Sequence, residues 1–454
     1  MIPSAMIWPR SRALMSGLWH RAPGLRPRPD PIHRPGSQLV VDAPAPPARM
    51  AARYVMERPI VAARTGLTGS AARYSALLSS GLLASLVLCS PGALAQGRLD
   101  AISVHNSRGE LQTVSGKVLS NTLTEVRVER DGKERTYGAG KVQRIVWGEA
   151  SSHYRDGLKY FERGDFQNAA DKFAFAAADS DEREVVKASA RRLAGDAQLR
   201  LGHTDPTRLP LAQAEYARFR SDFGEGRELP AVLMSQARAS LLAGDDAEAA
   251  ERYHSLFEIG SGDAPAPGYP RMLCMHAGLA AARAATSTGE TLVARELYGA
   301  LDSALRSMLA EASEGTEEHG HLVRLAADAQ LGEGFVLIAS GQARQALPFF
   351  NARVTSANGS DPSLRFGAQL GIGEAHLAQR DYSSARVALA SVAALDHTDR
   401  DRVARALVRL ADCYLNLGTT DSSSQAKRRL TYVVEQYSDT PWARVARETL
   451  ASSF

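Results

Sequence analysis

From His153 to Ala176 the chain reads HYRDGLKYFERGDFQNAADKFAFA, two amphipathic stretches either side of a Gly164-Asp165 turn. Gly157 stands seven residues before the turn glycine, Ala169 five after it, and Phe173 four beyond Ala169. Residues three, four and seven apart share a helix face. The spacing therefore predicts two antiparallel helices that cross at small residues, with an aromatic filling the groove beside the crossing. Helix axes in contact lie ~8–10 Å apart, a distance that bulky residues at both crossing points would prevent.

The same phase returns six more times. The turn position is Gly164, Gly202, Gly244, Gly289, Gly341, Arg380 and Gly418. Seven residues earlier stand Gly157, Gly195, Ala237, Ala282, Gly334, Gly373 and Ala411. The second helices carry Ala169, Ala212, Ala249, Ala294, Ala346, Ala385 and Ala426, each followed four residues later by Phe173, Tyr216, Tyr253, Tyr298, Phe350, Leu389 or Leu430. Alanine is common here, so one match carries little; seven in register define a repeat.

This grammar resembles the tetratricopeptide repeat, a helix–turn–helix unit of ~34 residues that stacks into an array. The resemblance covers residues 150–454, and the first copy is the nearest match, through Gly157, Tyr160, Gly164, Asp165, Phe166, Ala169, Phe173 and Ala176. It implies a mainly α fold, a right-handed solenoid of about seven helix pairs, with repeats over 150–437 and a capping helix over 438–454. Departures are plain. Turn positions recur at intervals of 38 to 52 residues, the second and seventh copies carry five and three extra residues before their second helices, and the family's tryptophan is absent. Pro348 falls inside the second helix of copy five, where it is expected to kink or shorten it.

Residues 98–148 have a different period. Val114 to Val118 and Thr124 to Val128 alternate apolar and polar, Asp131-Gly132 is a hairpin signal, and Val142 to Trp147 makes a last strand. Four or five short strands predict a small SH3- or Sm-like β-barrel or sheet module. No flexible linker separates it from the first repeat, so it is expected to dock there. At the other end Thr440-Pro441 reads as a helix start, and Trp442, Val445, Ala446 and Leu450 give that last helix an apolar face, as a terminal cap requires.

Composition changes the picture at the N-terminus. Residues 1–49 hold ten prolines, seven arginines and no lysine, a mixture that cannot bury a core. Residues 1–55 read as a mis-started or disordered leader, and 56–95 as a secretory signal: Arg58, Arg64 and Arg73, then an apolar run from Ala76 to Leu88, then Ala93-Leu94-Ala95 as a cleavage site. Lipid attachment at Cys89 is the lesser alternative, because Leu88 stands where that motif wants a small residue. Residues 1–95 carry 11 Arg against 3 acidic residues, a surplus of eight positive charges in a chain whose net charge is +4. The remainder is therefore −4, and the argument from basicity for a nucleic-acid partner disappears with the leader. The expected location is the periplasm, with no integral span in the processed chain.

Candidate chemistry is sparse. Cys274 and Cys413 fall on first helices three repeats apart, too far for a disulfide, and read as buried apolar residues. Glu318-His319-Gly320-His321 has metal-binding residue types but reads as a solvated helix start; Gly332-Glu333-Gly334 lacks the lysine of a phosphate loop. No catalytic constellation, metal or cofactor is expected. The favoured class is a non-catalytic envelope scaffold that takes a protein or peptide partner; the alternative is an accessory to a cell-wall or envelope enzyme system with a polymer-binding or catalytic site that the motifs do not reveal.

The resemblance also implies where a partner would lie, since first helices line the concave face of such arrays. The residue after each small crossing position should then point inward: Leu158, Asp196, Arg238, Arg283, Phe335, Glu374 and Asp412. The row is basic in copies three and four, apolar in five and acidic in six and seven. Met234, Leu241, Leu242, Ile338, Leu370 and Leu377 would add contact area. The row does not match the basic and asparagine set with which some family members clamp a chain-terminal carboxylate, so an extended or helical segment of opposite polarity is the expected ligand.

Overall fold

The computed structural model describes residues 99–262, 266–357 and 361–454. The leader, the signal segment and Cys89 lie outside these residues.

Among the described residues five antiparallel strands come first: β1 (Asp100–His105), β2 (Leu111–Asn121), β3 (Glu125–Arg130), β4 (Lys133–Gly138) and β5 (Val142–Val146). Their order in the sheet is β4-β3-β2-β1-β5. Asp131 (φ 52°) and Gly132 (φ 70°) both take the left-handed conformation that a two-residue hairpin turn demands, which is why this dipeptide sits between β3 and β4. One face of the sheet is apolar: Ile102, Val104, Val118, Val126, Val128 and Val142 are buried.

Seven helix pairs follow. They are α1 (Ser152–Glu162) with α2 (Phe166–Ala178), α3 (Glu184–Gly202) with α4 (Leu209–Asp222), α5 (Leu229–Ala243) with α6 (Asp246–Ser261), and α7 (Arg271–Ser287) with α8 (Thr291–Glu311). The fifth first helix is broken into α9 (Glu317–Gln330) and α10 (Gly332–Ala339) and pairs with α11 (Ala343–Ser356). Then come α12 (Pro362–Ala378) with α13 (Tyr382–Leu395), α14 (Arg400–Leu417) with α15 (Ser422–Gln436), and a last helix, α16 (Pro441–Ser453).

The small-residue register is the packing rule of the array. Every crossing position and every facing aromatic or leucine named above is buried. A Cβ added at Gly157 would sit 2.7 Å from the Phe173 ring, at Gly195 2.5 Å from Tyr216, at Gly334 2.4 Å from Phe350 and at Gly373 2.6 Å from Leu389. Each is closer than a side chain can tolerate, so the first helix of each of these pairs rests its backbone directly on the partner's large side chain.

At three places the helices depart from the simple repeat. Gly202 does not form a left-handed turn; it ends α3, and a Cβ there would lie 2.3 Å from Leu209 Cδ2. The extra residues of copy two make a 3-10 turn at Pro206–Arg208 instead, capped by Asp205 on the Thr207 N–H. Pro348 does not shorten α11, which runs on through it to Ser356. Pro348 and Arg344 are both exposed, so the Arg344 carbonyl deprived of its helical donor can face water. The fifth first helix is interrupted at Leu331, where Gly332 lies against the Tyr298 ring of the preceding pair and Gly334 against Phe350 of its own.

The sheet is fastened to more than the first pair. Its apolar face continues through Trp147, Ala150 and Tyr154 into Phe173, Ala176 and Val186. Asp100, with no exposed side-chain surface, accepts from the Val118 and Gly148 N–H groups and from both terminal nitrogens of Arg183 at 2.9 and 2.7 Å. Farther along, Leu123 N–H donates to the Glu225 carbonyl, and Arg227 donates to Asn121 Oδ1 and to the Val142 carbonyl. Gly268 (φ 84°) permits the Leu123 carbonyl to approach; a Cβ there would meet it at 2.1 Å. The module thus spans the start of the array from the first pair to the loop before the fourth.

Candidate functional site

The row is carried by the first helices, one residue per pair, because the crossing glycine or alanine fixes which face of each helix turns toward its partner. The next residue stands about 100° round the helix and escapes the crossing. Leu158, Asp196, Arg238, Arg283, Phe335 and Asp412 are all partly exposed, while Glu374 is buried. Of the apolar neighbours, Met234, Leu241, Ile338 and Leu377 are partly exposed; Leu242 and Leu370 are core residues and offer no contact area.

Most of the charges in the row already have partners in the chain. Asp196 accepts from Arg192 at 2.6 Å and from the Tyr216 hydroxyl at 2.8 Å. Arg238 donates to the Asp439 carbonyl at 2.9 Å. Arg283 pairs with Asp328 at 3.2 Å, and Asp412 with Arg409 at 3.2 Å. Glu374 accepts from Arg405 Nε at 2.6 Å and from Arg405 Nη2, and lies 3.5 Å from Arg409. Burial alone would raise the Glu374 carboxyl, but Arg405 and Arg409 outweigh it and hold it below its usual range.

The copies that the sequence separates meet around α14. Arg405 stacks over Phe335 at 4.6 Å and over Trp442 of α16 at 5.4 Å, and Arg409 also lies 5.4 Å from that ring. A cavity of about 30 Å³, room for a water or two, is lined by Arg283, Tyr298, Phe335, Asp401, Arg402 and Arg405 among others. Arg402 is fully engaged, with Asp396 at 2.6 Å, Asp328 at 3.4 Å, Thr398 and Ser363. Asp401 is not; its carboxylate forms no hydrogen bond or close ion pair among the described residues, although Arg283, Arg405 and Arg238 act on it at longer range. Burial and the neighbouring Asp399 push its carboxyl above the usual range. Burial also raises Asp328, beyond what Arg283 and Arg402 recover. Asp401 and the spare donors of Arg283 therefore line this cavity with hydrogen-bonding capacity left over.

Sequence reasoning missed Asp328, Asp401, Arg402, Arg405 and Arg409. They lie away from the position following the crossing residue, so the one-per-repeat rule skips them. A cluster of arginines and aspartates across residues 396–412 was the available signal. The metal-type residues resolve differently: Thr316 caps α9 on the His319 N–H, His321 lies 3.4 Å from Glu317, and no group of three potential metal ligands gathers among the described residues. Cys274 and Cys413 are free and buried, their thiols pushed up to about 11 and about 12 by burial. No described helix is long and apolar enough to cross a membrane.

No family model matches the sequence, and no curated protein matches it. Among solved structures, a tetratricopeptide repeat protein from Parabacteroides merdae ATCC 43184 is similar at 13% identity and a TM-score of 0.43, over 66% of this chain and 98% of that one. A Rap protein complexed with competence and sporulation factor is similar at 12% identity and a TM-score of 0.40, over 66% of this chain and 80% of that one. The helix pairs themselves, with their buried small-residue crossings and facing aromatics, make the fold a tetratricopeptide-like helical array behind a five-stranded antiparallel sheet.

Proposed function

We propose that the protein is an exported, non-catalytic scaffold of the bacterial envelope that holds a protein or peptide segment against the inner face of its helical array. The observation that carries this reading is the row of first-helix side chains, partly exposed in every pair but the sixth, leading to Asp401 and to the spare donors of Arg283. Such a row offers successive contacts at helical-repeat spacing, which suits an elongated ligand better than a compact one. Export rests on the arginines, apolar run and Ala93-Leu94-Ala95 of the leader, and places the processed N-terminus at Gln96.

The test is affinity capture from envelope extract with identification by mass spectrometry, followed by the double variant Arg283→Gln, Asp401→Asn. Neutralising both leaves the helix crossings untouched, so circular dichroism should not change while retention of the captured partner falls at least about tenfold, the equivalent of ~1.4 kcal/mol. Equal retention by the variant would move the binding surface off the inner face. Mass analysis of the processed chain decides the start: a lipidated Cys89 peptide would replace the soluble-periplasm reading with an anchored one.

A further inference from the structure

α16 has two sides. On one it caps the array, with Ala443 and Ala446 fully buried and Trp442, Val445 and Leu450 packed against the apolar cluster of α14 and α15. The other side, with the loop before it, meets residues about 200 positions earlier. Arg444 Nη2 lies 3.4 and 3.5 Å from the two carboxylate oxygens of Asp246, at the start of α6. The same guanidinium covers Gly244, the left-handed cap of α5, where an added Cβ would sit 3.3 Å from Nη1. Arg447 donates to the His203 carbonyl at 3.4 Å, past the end of α3. Arg238 donates to the Asp439 carbonyl at 2.9 Å, and Arg400 holds the Asp439 carboxylate from within the seventh pair.

The chemistry of this seam differs from that of every other junction in the array. Neighbouring pairs share buried apolar clusters, whereas none of the clusters that contain residues of the second and third pairs contains a residue of α14, α15 or α16. The seam consists of guanidinium contacts to one carboxylate and two backbone carbonyls, and Arg444 and Asp246 remain 25% and 29% exposed. Partly exposed pairs of this kind contribute little and are screened by salt. What lies behind them is the inner face: Trp442 against Arg405 and Arg409, and the cavity of about 30 Å³ beside Arg283 and Asp401. A helix with its side chains is ~10–12 Å across, far more than that space admits.

We propose that α16 is a latch: Arg444, Arg447 and the Arg238–Asp439 bond close the seventh pair onto the turns of the second and third, and a partner segment reaches Arg283, Asp401 and Arg405 by opening this seam. The latch deepens the proposed scaffold function, and its last clause rests on that reading. The strength of closure is set by charge, so it loosens with ionic strength, while the apolar junctions between neighbouring pairs do not.

Spin labels test the latch with no partner present. Glu251 on α6 and Ser452 on α16 are exposed, and labels on Glu251→Cys and Ser452→Cys would flank the seam. The native thiols are buried and protonated at neutral pH, so they leave the labelling selective. Pulsed dipolar spectroscopy on the otherwise unaltered chain should give one narrow distance at low salt. A longer population should grow toward about 1 M salt, where the screening length is ~3 Å. Arg444→Glu, which sets a carboxylate against Asp246, should show that population already at low salt, and adding Asp246→Arg should restore the single distance. The salt series needs no seam substitution, so a misfolded variant does not remove the test. A distance indifferent to salt and to Arg444→Glu overturns the latch, as does one that Asp246→Arg fails to restore. Either outcome is independent of whether any partner binds the inner face, which the Arg283→Gln, Asp401→Asn capture experiment reads separately.

Discussion

Glu374 shows how a row position becomes structural. Its side chain keeps 7% of its surface exposed and faces two guanidinium groups, 22% and 35% exposed. Glu374→Gln keeps the volume, strands Arg405 and leaves Arg409 with Asp412 alone, so it should cost about 3 kcal/mol, the low end for breaking a buried pair because both arginines retain some water. A carboxyl held below its usual range contributes stability that is present above its unfolded pKa and lost as pH falls through the lower folded value. The gap between wild type and Glu374→Gln in urea denaturation should therefore be full at pH 7, begin to narrow as pH falls through the ordinary glutamate range of about 4.3, and close only below the lower folded value. Asp401 and Asp328 have the opposite sign: their raised folded values make protonation stabilising, so they gain as pH falls. A gap that stayed constant through the acid range would show that Glu374 acts by shape and not by charge.

At the scale of elements, the turn between α12 and α13 breaks the glycine pattern. Arg380 holds φ at 62°, where Gly164, Gly244, Gly289, Gly341 and Gly418 serve the other pairs. A side chain in the left-handed region costs ~1–2 kcal/mol, and glycine returns ~0.4–1 kcal/mol of that through the entropy of the unfolded chain. Arg380→Gly should consequently stabilise by roughly 0.5–1 kcal/mol, seen as a higher urea midpoint with an unchanged slope. The turns and crossings were legible in the sequence because both are local: a left-handed turn and an i, i+7 face are written within one helical hairpin. The break at Leu331 was not, because Gly332 answers to Tyr298, thirty-four residues earlier in another pair. The row of first-helix residues was legible only as far as position on a helix decides exposure. Leu242 has the right spacing for contact area, yet it packs with Leu199 and Leu209. Arg238, Arg402 and Arg444 find partners 201, 74 and 198 residues away. A charged residue on a helix face carries no sequence mark of its long-range partner, which is why the convergence on α14 emerges only in three dimensions.

On the scale of the whole molecule, two kinds of long-range tie compete with the nearest-neighbour logic of a repeat array. The seam at α16 is polar and partly exposed, so it couples its two sides weakly. The sheet is bound differently: Asp100 and Arg183 meet 83 residues apart with no exposed surface on the aspartate, and Arg227 reaches Asn121 and Val142. The sheet and the first pair also share one apolar cluster. These ties should make the sheet and α1 to α4 one cooperative unit, while α12 to α15 respond to their own neighbours. Asp100→Ala tests the division. It leaves Arg183 without its carboxylate and the Val118 and Gly148 N–H groups without an acceptor, at a cost of ~3–5 kcal/mol. Hydrogen exchange read by mass spectrometry should then accelerate together in β1 to β5 and α1 to α4, with protection in α12 to α15 held near the wild-type level. Loss confined to β1 would show that the sheet stands apart from the array. An equal rise through α15 would show that closure at α16 couples the ends far more strongly than its partly exposed ion pairs allow.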